Sequence, residues 1–260
     1  MDLELKDKFA IVTGGSHGIG LATAQALADE GCNVAICARS EGRLHEAVVE
    51  LETRGVSALG IQGDVLVAGD IERVVNTVTD TWGTVHILVN NVGGGGRWGS
   101  PVIEDTPEEV WADVYSKNAM AAVRFTLLVM PYMRKQKWGR VVTVASIFGR
   151  EGGGRPWFNM AKSAEISLMK SLAMTKDLVR DGITFNTIAP GHIYIPGTGI
   201  EDERIHDDEA FVRRLDTEFP MGRMGTPEEV ASVIVFACST SASLLSGTSI
   251  PVDGGESRSF

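Results

Sequence analysis

Residues 13–20 read Thr13-Gly14-Gly15-Ser16-His17-Gly18-Ile19-Gly20. The stretch leaves the short apolar run FAIVT and enters the alanine-rich segment LATAQALADE, so it joins a strand to a helix. Glycines at 14, 18 and 20 allow a tight turn, leave the backbone bare where a pyrophosphate approaches, and let the helix pack closely. The helix N-terminus then offers unpaired N–H groups to phosphates. The spacing is GxxxGxG, and such a loop alone is weak evidence. Its place between a first strand and a first helix is what gives it a reading.

Outward from this loop, strand-like runs recur at 33–38, 58–62, 86–90, 141–145, 183–188 and 248–252. Segments 18–30, 40–54, 68–82, 107–136 and 157–180 carry apolar residues at helical spacing. The strands are apolar throughout, which is the pattern of strands covered on both faces. The expected fold is therefore α/β: a doubly wound, three-layer parallel sheet of Rossmann-like form, in one domain spanning 1–260. Residues 192–219, HIYIPGTGIEDERIHDDEAFVRRLDTEF, break the alternation with polar and acidic residues. They are expected to form a long irregular lid or substrate loop.

With 43% hydrophobic and 22% charged residues, the chain has the composition of a globular domain. Its 34 acidic and 24 basic residues, a formal charge of −10 and no basic stripe argue against nucleic acid as a partner. Cys32, Cys37 and Cys238 show neither disulfide nor metal-ligand spacing, so no metal site is expected and a reducing compartment fits. The N-terminus lacks a basic n-region and no apolar run approaches the length of a membrane span. The expectation is a cytoplasmic protein with no membrane partner.

Two strand ends address the coenzyme. Where many dinucleotide sites place an acid for a ribose hydroxyl, strand two ends in Ala38-Arg39, and a basic residue there suits a 2′-phosphate. NADP(H) is favoured on that ground, with NAD(H) allowed. His17 either adds positive charge near that phosphate or is a solvated loop histidine. Asp64, beside Val65 at the end of strand three, either accepts from an adenine amino group or caps the following helix.

With these residues in place, the chain resembles the short-chain dehydrogenase/reductase family over essentially its whole length. Thr13–Gly20 is similar to its TGxxxGxG loop, Asn90-Asn91-Val92-Gly93 to its NNAG strand end, Pro190-Gly191 to its PG turn, and Val252-Asp253-Gly254-Gly255 to its VDGG segment. The resemblance implies hydride transfer between a nicotinamide and a carbonyl or alcohol, and a homo-oligomer, either dimer or tetramer. It implies coenzyme contacts from Gly14, Ser16, His17, Gly18, Ile19 and Gly20, from Arg39, Asp64, Val65, Asn91 and Gly93, and from Lys162, Pro190, Gly191 and Ile193. Of the family's Asn-Ser-Tyr-Lys set, Asn118, Ser146 and Lys162 match the first, second and fourth. Phe158 holds the tyrosine's place.

A phenyl ring can neither donate a proton to substrate oxygen nor respond to a neighbouring ammonium. Three readings follow: a substitution introduced to trap a complex, a divergent enzyme whose donor lies elsewhere, or a protein that binds nucleotide without turnover. Tyr194, His192 and Tyr115 are the alternative donors. Retention of Asn118, Ser146 and Lys162 favours an enzyme, with Ser146 on the substrate oxygen, Lys162 on the nicotinamide ribose and Asn118 holding a relay water. The bland reading of Lys162 is a surface ion pair with Glu165 at i+3. Reduction of a conjugated C=C bond and nucleotide sensing are the alternative functions.

Specificity signals are fewer. Ile195 stands where the family often has a threonine for the carboxamide, leaving that group to backbone or to Thr198. Arg97, Arg150 and Arg155 near one mouth suggest an anionic substrate. Trp98 and Trp157 are either substrate walls or core residues.

Overall fold

The computed structural model describes residues 2–259, the side chain of Glu203 apart. Seven strands form one parallel sheet: β1 (Phe9–Thr13), β2 (Asn33–Ala38), β3 (Ala58–Gln62), β4 (Ile87–Asn90), β5 (Gly139–Val144), β6 (Ile183–Pro190) and β7 (Ser249–Val252), in the order β3-β2-β1-β4-β5-β6-β7. Parallel neighbours need crossovers, and helices supply them on both faces. Alternation along each strand divides the interior. Ala10 and Val12 of β1 enter one core with α1 (Gly18–Asp29) and α2 (Glu41–Glu52). Ile11, between them, enters the other with α3 (Ala68–Trp82). Both faces are dry, which explains why the strands read as continuous apolar runs.

The sheet reverses its winding between β1 and β4, and the crevice outside the carboxyl ends of these strands is where such sheets take ligands. Thr13 closes that junction. Its Oγ1 accepts from Asn91 N at 2.9 Å and Val92 N at 3.0 Å, and Asn91 Nδ2 donates to Thr13 O at 2.9 Å.

Three segments differ from their sequence-based outlines. Residues 107–136 are not one helix: α4 (Glu108–Tyr115) passes through a π-helical turn, Ser116–Met120, into α5 (Ala121–Gln136). The extra residue per turn is invisible to an apolar period, and it brings Asn118 to complete burial. Residues 157–180 divide into α6 (Pro156–Ala173) and α7 (Lys176–Arg180). Residues 192–219 are not irregular, since they hold α8 (Gly199–His206) and α9 (Asp208–Glu218).

These last two helices lack a long apolar stripe. They are held by the i,i+4 pairs Arg204–Asp208 at 3.2 Å and Arg214–Glu218 at 2.8 Å, by the Asp207 cap on Ala210 N at 2.9 Å, and by a small cluster of Phe211, Phe219 and Met224. A further helix, α10 (Pro227–Cys238), starts with Pro227 and a Thr226/Glu229 capping box and covers α1. Among the described residues, no helix is long and apolar enough to cross a membrane, and no group of His, Cys, Asp or Glu is placed to hold a metal ion.

Candidate active site

Two clefts lie along the carboxyl edge of the sheet. The first, of about 350 Å³, is lined by Gly14, His17, Arg39, Asp64, Val65, Asn91 and Gly93, with Trp98 and Lys117 on its rim. The second, of about 450 Å³, is lined by Gly18, Ile19, Ser146, Phe158, Lys162, Pro190, Gly191 and Ile193. His17, Asn91 and Gly93 belong to both, so the two form one trough. Ser16, Gly20 and Asn118 line neither.

Gly20 and Asn118 have structural roles instead. Gly20 packs under the loop, where an added Cβ would collide with Gly14 O and Asn91 Nδ2. Asn118 spends its amide hydrogens on Gly94 O at 2.9 Å and Val114 O at 2.7 Å, and its Oδ1 accepts from Gly94 N at 3.1 Å. The side chain fixes the glycine-rich loop to the π turn.

The first cleft suits a dinucleotide. Gly14 and Gly18 have φ of +66° and +54°, which only glycine adopts without strain. The N-cap residue of α1, His17, makes no side-chain cap, so the first N–H groups of that helix face the cleft without a competing side-chain acceptor. Asp64 does not cap α3, whose N-cap is Val67. Its Oδ1 accepts from Leu66 N at 3.0 Å within its own turn. Cys37, also in the lining, has its thiol pushed up to about 12 by burial and is no nucleophile.

Lys117 had no role in the sequence reading. It lies 4.7 Å from the Trp98 ring centroid, and its proton affinity is lowered by burial and then by the Arg39 charge, with Asp64 opposing. The π turn hid it, because a regular helix over 107–136 gives no reason to place 117 in a cleft.

At the other end, Lys162 is only 3% exposed. Its Nζ donates to Val144 O at 2.9 Å and to Glu165 Oε2 at 2.9 Å, and sits 5.7 Å from the Phe158 ring centroid. The i,i+3 pair with Glu165 therefore exists, but it is buried and not on the surface. Burial raises the Glu165 carboxyl to about 7, against the opposing pull of Lys162. Ser146 lies two residues past the end of β5, caps the turn Ile147–Gly149 by accepting from Phe148 N at 3.2 Å, and lines the second cleft.

Of the three alternative donors, His192 alone lines the trough, with Nδ1 held 2.5 Å from Glu256 Oε1. Tyr115 packs beside Trp157, and Tyr194 joins the Phe211 cluster. Thr198 donates its hydroxyl to Ile195 O at 2.7 Å, and Ile195 itself lies over Gly18.

The arginines do not converge. Arg150 donates to Ser249 O at 2.7 Å, Arg155 donates to Ser100 O at 3.0 Å, and Arg97 lies against Gly199 at the start of α8. Trp157 is wholly buried, stacked edge-on to Trp111, and Trp98 stands at the nucleotide cleft, so neither walls the cleft around Ser146.

This arrangement matches known proteins over the full chain. Residues 14–257 fit the family model described as Enoyl-(Acyl carrier protein) reductase. Dehydrogenase/reductase SDR family member 4 of Oryctolagus cuniculus is 36% identical over 253 residues, covering 96% of this chain and 94% of the relative. The chain is a short-chain dehydrogenase/reductase. Another member of this family, the 3-oxoacyl-[acyl-carrier-protein] reductase FabG of Vibrio cholerae, is 34% identical over 254 residues, covering 97% of this chain and 98% of the relative. Among solved structures, L-sorbose reductase from Gluconobacter frateurii, complexed with NADPH and L-sorbose, superposes with a TM-score of 0.92 at 33% identity, each chain covered completely. As a short-chain dehydrogenase/reductase the chain is an oxidoreductase that uses a nicotinamide dinucleotide, and Gly14, Gly18, Arg39 and Lys162 line the two clefts of the one trough.

Proposed function

We propose that the protein interconverts a ketone and a secondary alcohol with NADP(H) as the preferred coenzyme. The observation that carries this reading is the single trough with Arg39 at one end and Ser146 and Lys162 at the other. Arg39 is exposed in the lining of the first cleft, and a guanidinium there suits a 2′-phosphate. The likeness to a reductase crystallised with NADPH supports the same choice.

A dihydronicotinamide bound in the trough would supply the hydride for the carbonyl carbon. The protein's own part is positioning and proton supply. The N-terminus of α1 and Gly14 to Gly18 would hold the pyrophosphate. Lys162 would hold the nicotinamide ribose, and Ser146 would hold the substrate oxygen. Asn118 keeps the Gly93–Gly94 backbone in place beside them. The segment 192–219 acts as a lid, since Ile200 of α8 already closes one side of the second cleft.

Phe158 occupies the position of the family's tyrosine, and the site is a divergent one whose proton comes from another group. The test is coenzyme consumption by the purified chain with NADPH and with NADH against L-sorbose, a 3-oxoacyl thioester and a conjugated enone. Ketone reduction faster with NADPH supports the reading. Reduction of the enone alone indicates C=C chemistry, and saturable dinucleotide binding without turnover of any compound indicates a sensor.

A further inference from the structure

Lys162 and Glu165 form a buried pair at the wall of the catalytic cleft. Nζ lies 2.9 Å from Oε2, and the side chains are 4% and 1% exposed. Burying two charges is costly, and retaining such a pair beside a reaction cleft asks for a use beyond stability. The ammonium has three hydrogens. One goes to Glu165 Oε2 and one to Val144 O. The remaining one is next to the space that Gly93 leaves open: a Cβ there would lie 2.9 Å from Nζ. Gly93 lines the same cleft as Ser146, so Lys162 is placed between the carboxyl behind it and the substrate site in front.

Glu165 has no other way out. Its described hydrogen bond is to Lys162, and it is almost fully enclosed. No phenol stands in the cleft lining, because position 158 carries a ring without a hydroxyl. We propose that Glu165 stores a proton and passes it through Lys162 to the oxygen of the carbonyl substrate, making the buried pair the proton source of this site. The inference rests on the ketone-reductase reading above. Lys162 is the catalytic residue in it, and Glu165 is a positioning residue that acts through Lys162.

The step balances as follows. Hydride addition moves the C=O π pair onto oxygen. That oxygen forms an O–H bond as one Nζ–H bond of Lys162 breaks. Nζ recovers its hydrogen from the Glu165 carboxyl, whose O–H bond breaks, and an ammonium–carboxylate pair remains. Solvent reprotonates the pair through Lys162 after product leaves. The stored proton is available because burial raises the carboxyl to about 7. Titratable groups on the elements around α6 include Asp113 and Tyr115 of α4, Lys117 of the π turn and Arg140 of β5. Of the charges around it, Lys162 is the one that acts on Glu165, and Lys162 acts in turn on Lys117.

The experiment is an infrared pH titration of the full chain from about pH 5 to 9, with and without NADP⁺, which requires no turnover. The expected result is a protonated-carboxyl stretch that disappears near neutrality, moves on carbon-13 labelling of glutamate, is absent in Glu165→Gln and persists in Phe158→Tyr. A wild type without a carboxyl titrating in that range overturns the store. This reading stays decisive even if Glu165→Gln fails to fold, because the labelled wild type carries the assignment, and Glu165→Asp should retain a shifted band.

The second arm is kcat against pH for the ketone found above. Glu165→Gln should bind NADPH with wild-type affinity while kcat falls by about 10²-fold and its alkaline decline near neutrality vanishes. Glu165→Asp should recover part of the rate. An unchanged pH profile in Glu165→Gln overturns delivery. A chain that turns over no ketone overturns the functional reading instead, while the infrared band still decides whether Glu165 holds the proton.

Discussion

Lys162 Nζ and Glu165 Oε2 meet at 2.9 Å inside α6, one turn after Phe158 and within reach of the Val144 carbonyl that ends β5. The pair ties the catalytic helix to the sheet edge. It also places a buried carboxyl behind a cleft whose aromatic ring has no hydroxyl.

Removing one member strands the other. Glu165→Leu leaves an unpaired ammonium in the interior and should cost about 3–5 kcal/mol of stability, whereas the double variant Glu165→Leu/Lys162→Met should recover most of it. Denaturant unfolding of the singles and the double checks this. A double variant no more stable than Glu165→Leu would show that the pair is not the source of the loss.

The same carboxyl sets a pH dependence. Glu165 is raised from its ordinary 4.5 to about 7 in the folded chain, so between these values the folded state binds the proton that the unfolded state has released. Its contribution to stability is complete below 4.5 and is lost as pH rises through about 7. The melting temperature of the wild type minus that of Glu165→Gln should therefore fall across this window. A difference that stays flat or rises counts against the raised carboxyl.

Arg39 should decide between the two dinucleotides. Charge-assisted hydrogen bonds to a phosphate contribute about 1.5–3 kcal/mol, so Arg39→Ala should weaken NADPH binding by about 10- to 100-fold and leave NADH nearly unchanged. Fluorescence titration of both coenzymes measures the ratio. Equal losses would place the guanidinium away from the 2′-phosphate.

Gly93 is required for close approach, not for an unusual backbone. A Cβ at this position would lie 2.8 Å from Asn118 Oδ1 and 2.9 Å from Lys162 Nζ, so Gly93→Ala must displace the loop or the ammonium. A displacement of even ~1 Å at a reacting group can cost about 10²-fold in rate. Steady-state kinetics should show kcat falling by that order with the fold retained by circular dichroism. Wild-type kcat would mean that Nζ need not keep its position.

Exposed apolar residues on separate elements call for covering surfaces. Leu127 on α5 is 64% exposed, Met174 at the end of α6 is 71%, and Leu244 before β7 is 99%. A dimer or tetramer is expected from light scattering, and Leu127→Glu should lower the mass if α5 is part of the contact. A monomer over the whole accessible concentration range contradicts this.

The layers of the fold were legible because burial on both faces leaves a mark in the chain itself. β1, β2, β3 and α3 have the bounds that apolar runs and periods predict. The reading failed where order comes from something other than an apolar stripe. Residues 199–218 are helical through ion pairs and a cap, and Ser116–Met120 widens a helix without altering its composition.

The site divides along the same line. That Gly14, His17, Gly18, Ile19, Arg39, Ser146 and Lys162 lie along one trough was readable from local motifs, since a glycine loop before a helix and a serine just past a strand carry their geometry with them. Arg97, Arg150 and Arg155 were not: their places in loops near one mouth suggested an anion-binding rim, while their guanidinium groups go to three different places.

By itself, the sequence determined the doubly wound sheet, the glycine loop between β1 and α1 and the residue types that line the trough, because backbone conformation and alternating burial are properties of short stretches. Only tertiary structure decided that Glu165 is enclosed behind Lys162, that Lys117 turns into the nucleotide cleft, and that Asn118 is consumed in holding a loop. Those outcomes depend on which elements pack against one another and on the water they exclude. A carboxylate at i+3 from a lysine is a surface pair or a proton store according to that packing alone.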